Sequence, residues 1–214
     1  MKTSSQKKVL KLYADSADSY NKMMDNEINL PVYSNILSRL AEKISEIHGA
    51  VIDTSCGSGH MLHRYHKRYD QERSLIGIDL SPSMVALASN KLGSNAEIYV
   101  GDMRDLSRIS SESSAAVISF FAIHHLNPKE ISVAFKESSR ALRPQGQLSI
   151  ATWEGNGPID YGDESDVVAL RYSKKEVAAW VNDNGFTIDR LVVEPVEEIP
   201  MKAIYLEATK NAII

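Results

Sequence analysis

From Gly49 onward, short apolar segments rich in β-branched residues alternate with longer segments of helical periodicity. Five short segments, 50–54, 74–79, 96–100, 115–120 and 147–152, precede residue 153. Alternation of this kind predicts parallel strands joined by helices, in a doubly wound α/β fold. The first, second and fourth segments are almost continuously apolar, as expected for central strands that helices cover on both faces.

The flanking segments extend this pattern. Two further β-rich segments, 186–193 and 201–209, follow a predicted helix over 174–184. We therefore expect a seven-stranded, mostly parallel sheet whose last strand is antiparallel. Residues 5–26 and 31–47 predict two helices, the second with an apolar stripe. We expect an N-terminal helical cap over 1–48 and a core over 49–214 within a single domain.

Composition excludes several classes of function. The chain has 214 residues, a net charge of −4 and one cysteine, Cys56. This charge favours no nucleic-acid partner, and one cysteine allows neither an internal disulfide nor a multi-cysteine zinc site. No segment has the length of a membrane span or the apolar core of a signal peptide. We expect a cytoplasmic monomer or homodimer with no membrane partner and no bound metal.

The segment 51–59, VIDTSCGSG, ends a strand and begins a helix. Gly57 and Gly59 lack the side chains that would keep a ligand from the backbone. Alternatively, the glycines are needed only for the backbone dihedral angles of a tight turn. A dinucleotide-binding turn has a further glycine three residues on, where this chain has Leu62. The pattern therefore predicts a ligand-binding turn and disfavours a dehydrogenase.

Carboxylates end the next two strands. Asp79 lies about twenty residues beyond the glycine turn, where an acid can accept both hydrogen bonds of a ribose diol. Asp102 can accept from the exocyclic amine of adenine, with the Met103 backbone facing the ring. Alternatively, Asp79 caps the helix that follows, and Asp102 is a loop residue that binds no ligand. Because the carboxyl ends of parallel strands share one edge of the sheet, these groups predict one ligand site.

Five segments, DTSCGSG at 53–59, DLSPSM at 79–84, GDM at 101–103, HHL at 124–126 and LRPQG at 142–146, carry a resemblance. Together they resemble the class I S-adenosylmethionine (SAM)-dependent methyltransferases of the small-molecule type, over residues 49–152. The resemblance implies a Rossmann-like fold, SAM as cofactor and a small-molecule methyl acceptor. It implies cofactor contacts from the backbone around Ser55 and Gly57 for the methionine part, Asp79 for the ribose, Leu80, Met84, Asp102 and Met103 for adenine, and Phe120 and Phe121 beside the sulfonium. Asp53 and Gly59 are further expected cofactor contacts.

Four further side chains are candidates for the site. The segment 12–21 is similar to the one that closes over the cofactor in small-molecule members, with Tyr13 and Tyr20 as candidate contacts; packing on the core is the alternative. His124 and His125 follow the fourth strand and are candidate general bases, although either ring can have a purely structural role. Methyl transfer is an in-line displacement, so positioning alone can supply much of the catalysis.

Two alternatives to a methyltransferase stay open. A SAM-binding protein without turnover would show the same acids, and it is favoured by Ser55, which stands where the family usually has glycine. A nucleotide-dependent oxidoreductase shares the doubly wound architecture. Trp153, at the end of the fifth strand, is expected either to contact the methyl acceptor or to pack in the core.

Overall fold

The computed structural model describes residues 3–159, 167–196 and 199–212. Within these ranges no helix is long and apolar enough to cross a membrane. The helices are α1 Gln6–Asp15, α2 Ala17–Glu27, α3 Pro31–Lys43, α4 His60–Arg68, α5 Pro82–Leu92, α6 Pro128–Ala141 and α7 Lys174–Asp183. The strands are β1 Ala50–Asp53, β2 Leu75–Asp79, β3 Glu97–Val100, β4 Ser114–Phe120, β5 Leu142–Glu154, β6 Gly157–Pro158, β7 Leu170–Arg171, β8 Phe186–Pro195 and β9 Lys202–Lys210.

The main sheet has seven strands in the order β3-β2-β1-β4-β5-β9-β8. Strands β1 to β5 pair in parallel, while β9 pairs antiparallel with both of its neighbours, β5 and β8. The predicted fold class is therefore confirmed. The chain order reverses at β1, whose neighbours are β2 and β4, and ligands of open α/β sheets bind at such a point. A two-stranded sheet of β6 and β7 was not predicted.

Both faces of the sheet are covered, which explains the continuous apolar character of its central strands. On one face, Ile52 and Val117 pack in a cluster with Phe135 of α6. On the other face, Val51 and Ile118 pack in a cluster with residues of α3, α4 and α5. These side chains are at most 1% exposed. The two-sided burial leaves only the strand ends for ligand contact.

The N-terminal region differs from the prediction in one respect. The single helix expected over 5–26 is interrupted at Ser16, whose φ of −106° and ψ of 6° leave the α region. The Ser16 hydroxyl donates to the Leu12 carbonyl oxygen at 2.8 Å, a side-chain bond that competes with regular helical geometry. The break lets α1 and α2 cover the carboxyl edge of the sheet in two directions.

Helix α3 belongs to the packed core. Leu37 and Ile44 are fully buried, and both lie in the cluster that contains Val51 of β1. By contrast, Val9 and Ala17 are the only buried residues of α1 and α2. The predicted division into a cap over 1–48 and a core over 49–214 stays a prediction, and the packing of α3 favours a boundary before this helix.

Replacing Leu37 tests whether α3 is part of the core. Leu37→Ala removes a fully buried side chain and is expected to lower the free energy of unfolding by about 2 to 5 kcal/mol in urea denaturation. The neighbouring Ser38 is exposed, so Ser38→Ala should change this energy by less than about 0.5 kcal/mol. Equal, small effects of the two substitutions would contradict a structural role for α3.

Candidate functional site

A cavity of about 690 Å³ lies at the carboxyl ends of β1 to β4, beneath α1 and α2. Its position is the one that the topology favours, next to the reversal at β1. The predicted site residues that line it are Tyr13, Tyr20, Ser55, Gly57, Asp79, Leu80, Met84, Asp102, Met103, Phe120, Phe121 and His125.

Asp79 joins the two turns that follow β1 and β2. Its Oδ2 accepts from the Gly57 N–H at 2.8 Å, and its Oδ1 accepts from the Ser81 N–H at 2.9 Å. Burial raises the pKa of this carboxyl, and the two backbone hydrogen bonds lower it by a smaller amount. The cap of α5 is Ser81, whose hydroxyl accepts from the Met84 N–H, so Asp79 has lone pairs left for a ligand.

The glycine turn leaves room for close approach to its backbone. Gly57 has a φ of +50°, which favours glycine. A Cβ there would lie 3.3 Å from Cε1 of Tyr20, so the Tyr20 ring packs directly over the turn. Burial, together with the nearby Asp79 and Asp53 carboxylates, raises the pKa of Tyr20.

Asp102 is held at the cavity edge by Arg104. The Arg104 side chain donates from Nε and from a terminal nitrogen to the carboxylate at 2.6 to 3.1 Å, and its backbone N–H donates at 2.9 Å. Arg104 also pairs with Glu130, which belongs to the capping box of α6. This network fixes the orientation of the carboxylate.

Asp53 lines an adjoining cavity of about 380 Å³, which shares Tyr20, Ser55, Phe120 and Phe121 with the first. The Asp53 side chain accepts from the Ser55 N–H at 3.1 Å. Burial, followed by the nearby Asp79 carboxylate, raises the pKa of Asp53 to about 7. The Ser55 hydroxyl lies 2.8 Å from that of Ser119 in β4, so its extra atoms have a hydrogen-bond partner.

Tyr13 and His125 form a polar pair on the cavity wall. The Tyr13 hydroxyl lies 2.9 Å from Nε2 of His125, and the two rings meet edge to face. Tyr13 also contacts the Tyr20 ring edge to face at 6.2 Å. Burial lowers the pKa of His125 to about 4, so the imidazole is neutral at pH 7.

Gly59 and His124 lie outside both cavities. Gly59 has a φ of +84°, and a Cβ there would lie 3.1 Å from the Cα of Ala88, so this glycine allows α4 to approach α5. His124 is 3% exposed, and burial lowers its pKa. Across the described ranges, no group of three or more His, Cys, Asp or Glu side chains is arranged to hold a metal ion.

Phe121 has a strained backbone at the cavity wall. Its φ of +51° is uncommon for a residue with a Cβ and is found where the surroundings enforce it. Its N–H donates to the Ala151 carbonyl oxygen at 2.8 Å. Its ring lies 4.6 Å from that of Trp153 and 6.3 Å from that of Tyr205, centre to centre. These contacts hold the ring in one position.

Some of the cavity wall was not predicted from the sequence. Val9 and Leu10 come from α1. Val9 lies four positions before Tyr13 and so on the same face of the helix, and this spacing was the available signal in the sequence. Backbone neighbours of predicted residues make up the rest. The unpredicted lining residues are Val9, Leu10, Thr54, Ser81, Ala122 and Leu126.

Residues 51–146 match the family model described as a methyltransferase domain. A segment of 126 residues, 58% of this chain, is 33% identical to an uncharacterized methyltransferase of Schizosaccharomyces pombe and covers 45% of that protein. The chain resembles the class I SAM-dependent methyltransferases in this segment and in its fold. It spans about half or less of the length of the curated methyltransferases that it matches most strongly.

Solved structures of other proteins share the fold of this chain. A Burkholderia thailandensis methyltransferase, crystallised with 1,6-didemethyltoxoflavin and S-adenosylhomocysteine, has a TM-score of 0.71 at 18% identity, over 94% of this chain and 88% of that chain. The (4+2) cyclase SpnF has a TM-score of 0.76 at 14% identity, over 100% of this chain and 99% of that chain. At these identities the likeness shows the fold alone.

The buried Asp53 predicts a pH-dependent stability of this protein. A folded-state pKa of about 7 lies above the usual value, so burying the charged form costs free energy, and stability falls as the pH rises from about 4 to 7. Asp53→Asn keeps an oxygen for the Ser55 N–H and should be more stable than the parent by about 2 to 4 kcal/mol at pH 8, at 1.36 kcal/mol per pKa unit.

Thermal and urea denaturation between pH 4 and pH 8 measure this difference. The difference in the free energy of unfolding between Asp53→Asn and the parent should be small at pH 4 and constant above pH 7. The exposed Asp183 provides the control variant Asp183→Asn, for which no such difference is expected. A variant Asp53→Asn that is less stable than the parent at pH 8 would show that the ionised carboxylate is stabilised in the folded protein.

Proposed function

We propose that this protein is a SAM-dependent methyltransferase, which binds SAM in the cavity of 690 Å³ and methylates a small-molecule acceptor. The observation that carries the proposal is that Gly57, Asp79 and Asp102, from the ends of three neighbouring parallel strands, line one cavity. A cationic, nucleoside-containing cofactor suits this set, because the carboxylates can accept its hydroxyl and amine hydrogens.

The adenosine half is assigned to the β2 and β3 side of the cavity. Asp79 would accept from both ribose hydroxyls while it keeps its two backbone donors. Asp102, fixed by Arg104, would accept from the exocyclic amine of adenine. Leu80 and Met84 would cover the adenine ring, and the Met103 backbone would face its edge.

The methionine half is assigned to the adjoining cavity, where Asp53 faces its ammonium. A cation beside a buried carboxyl favours the charged form of that carboxyl and offsets its desolvation. Ser55 and Gly57 would contribute backbone groups, and Tyr20 would cover this end. Gly59 would act indirectly, by allowing α4 to pack closely against α5.

When bound, SAM supplies a methyl group on a sulfonium, which bonds to an acceptor lone pair as the carbon–sulfur electrons return to sulfur. Phe120 and Phe121 would border this point and exclude water. The neutral imidazole of His125 can accept a hydrogen bond from the acceptor, while the buried His124 would have a structural role. We expect positioning by these side chains to supply most of the rate acceleration.

Two observations support a small-molecule acceptor. Helices α1 and α2 cover the cavity, which leaves limited space for a macromolecule, and the net charge of −4 provides no broad attraction for nucleic acid. The Burkholderia thailandensis structure of the same fold holds a small molecule beside S-adenosylhomocysteine. A cytoplasmic location and a monomeric or dimeric state remain part of the proposal.

A second function, SAM binding without methyl transfer, is favoured by one observation. SpnF has the same fold with a TM-score of 0.76 and is described as a cyclase, so the fold does not by itself specify methyl transfer. Formation of S-adenosylhomocysteine from SAM in the presence of a low-molecular-mass cell extract separates the two functions. Stoichiometric SAM binding with no such product under any acceptor condition would favour the second.

Calorimetric titration with SAM and with S-adenosylhomocysteine tests the cofactor assignment. Asp79→Asn removes the charge that would bind the ribose diol and is expected to weaken binding by about ten- to a hundredfold, since hydrogen bonds to charged groups contribute about 1.5 to 3 kcal/mol. Asp183→Asn removes one carboxylate far from the cavity and should bind like the parent. Failure of the parent protein to bind SAM, or tight binding of NAD instead, would contradict the assignment.

A further inference from the structure

We propose that the methyl acceptor of this site is an uncharged, apolar and ring-containing molecule. The inference rests on the proposed function and names its substrate class. It concerns the acceptor wall, which we define as Val9, Leu10, Tyr13, Phe121, Ala122 and His125. These residues come from α1 and from the turn after β4 and line the cavity of 690 Å³, and their assignment to the acceptor is part of this proposal.

The acceptor wall carries no charge at neutral pH. Five of its members are apolar or phenolic residues. The sixth, His125, is neutral because burial lowers its pKa to about 4. An acceptor with an apolar body therefore gains free energy by leaving water for this wall.

No cationic side chain offsets a negative charge here. Among the described residues that line the two adjoining cavities, none is a lysine or an arginine. The acidic residues among them are Asp53, Asp79 and Asp102. The undescribed internal stretches 160–166 and 197–198 also lack lysine and arginine, and Lys2 is the single cationic residue outside the described ranges.

Neither Arg104 nor Arg171 lines the two cavities. Arg104 is paired with Asp102 and Glu130. Arg171 donates to the Asn156 carbonyl oxygen at 3.0 Å. An acceptor carboxylate or phosphate would lose its hydration here without gaining a cationic side chain as counter-ion, which is unfavourable in a low-dielectric site.

Two features of the acceptor wall favour a ring with one polar group. Phe121 is held by its stack on Trp153, and Tyr13 stands edge to face with His125, so aromatic surfaces border the space. In the described part of the chain, Nδ1 of His125 is buried and has no hydrogen-bond partner. A hydroxyl or amine on the ring can supply one, and the buried atom would otherwise cost free energy.

Matched ring compounds test this substrate class. The protein is first saturated with S-adenosylhomocysteine and then titrated calorimetrically at pH 7 with 2-naphthol, which is neutral, or with 2-naphthoate, which is anionic. We expect 2-naphthol to bind and 2-naphthoate to bind more weakly by on the order of tenfold or more, because its charge is left unpaired.

Two variants add one positive charge at different places. Leu10→Lys puts an ammonium on the acceptor wall and should strengthen the binding of 2-naphthoate severalfold without strengthening that of 2-naphthol. Val133→Lys adds the same charge on α6, at a side chain that is 48% exposed and lines neither cavity, and should leave both affinities unchanged.

The initial binding of S-adenosylhomocysteine distinguishes a failure of the proposed function from a failure of the acceptor class. If S-adenosylhomocysteine does not bind, the proposed function fails, and the acceptor class fails with it. If it binds and 2-naphthoate then binds the parent protein as tightly as 2-naphthol, the acceptor class alone is overturned. Absence of any 2-naphthol binding would also overturn it, since the wall would then not recognise an uncharged ring.

Discussion

The site depends on the two backbone hydrogen bonds that the Asp79 carboxylate accepts. One comes from Gly57 in the turn after β1 and the other from Ser81 in the turn after β2, so a single side chain ties both turns together. Burial makes the ionised carboxylate costly, and these two donors offset part of that cost. The same geometry that fixes the turns leaves the carboxylate facing the cavity.

The N-terminal helices connect to the same turns and loops. Gln6 lies 3.4 Å from the Asp102 carboxylate, Tyr13 contacts His125, and Tyr20 lies over Gly57. At the end of α2, Asp25 lies 2.7 Å from Nε2 of His60, at the start of α4. The cover of the cavity is therefore joined to elements that surround the proposed cofactor.

The sheet and the acidic side of the site could be predicted because both follow from strand ends. Apolar segments of five or six residues identify the parallel strands, and parallel strands bring Gly57, Asp79 and Asp102 to one edge. The acceptor wall could not be predicted in the same way. Val9 and Leu10 reach the cavity only through tertiary packing of α1, and no local pattern specifies which face of an amphipathic helix meets a ligand.

Local backbone geometry accounts for most of the remaining differences. The positive φ of Phe121 is imposed by its neighbours and leaves no mark in the sequence. The break at Ser16 depends on one side-chain hydrogen bond within an otherwise helical pattern. Gly59 matched a ligand-binding turn, yet its closest constraint is Ala88 of α5. A glycine pattern alone does not distinguish contact with a ligand from contact between helices.

A crystal structure of the protein with bound S-adenosylhomocysteine tests the central assignment most directly. We predict that the ribose hydroxyls lie within hydrogen-bond distance of Asp79, the adenine amine lies against Asp102, and α1 and α2 cover the ligand. A ligand that occupies another surface, or whose ribose makes no contact with Asp79, would contradict the assignment of this cavity as the cofactor site.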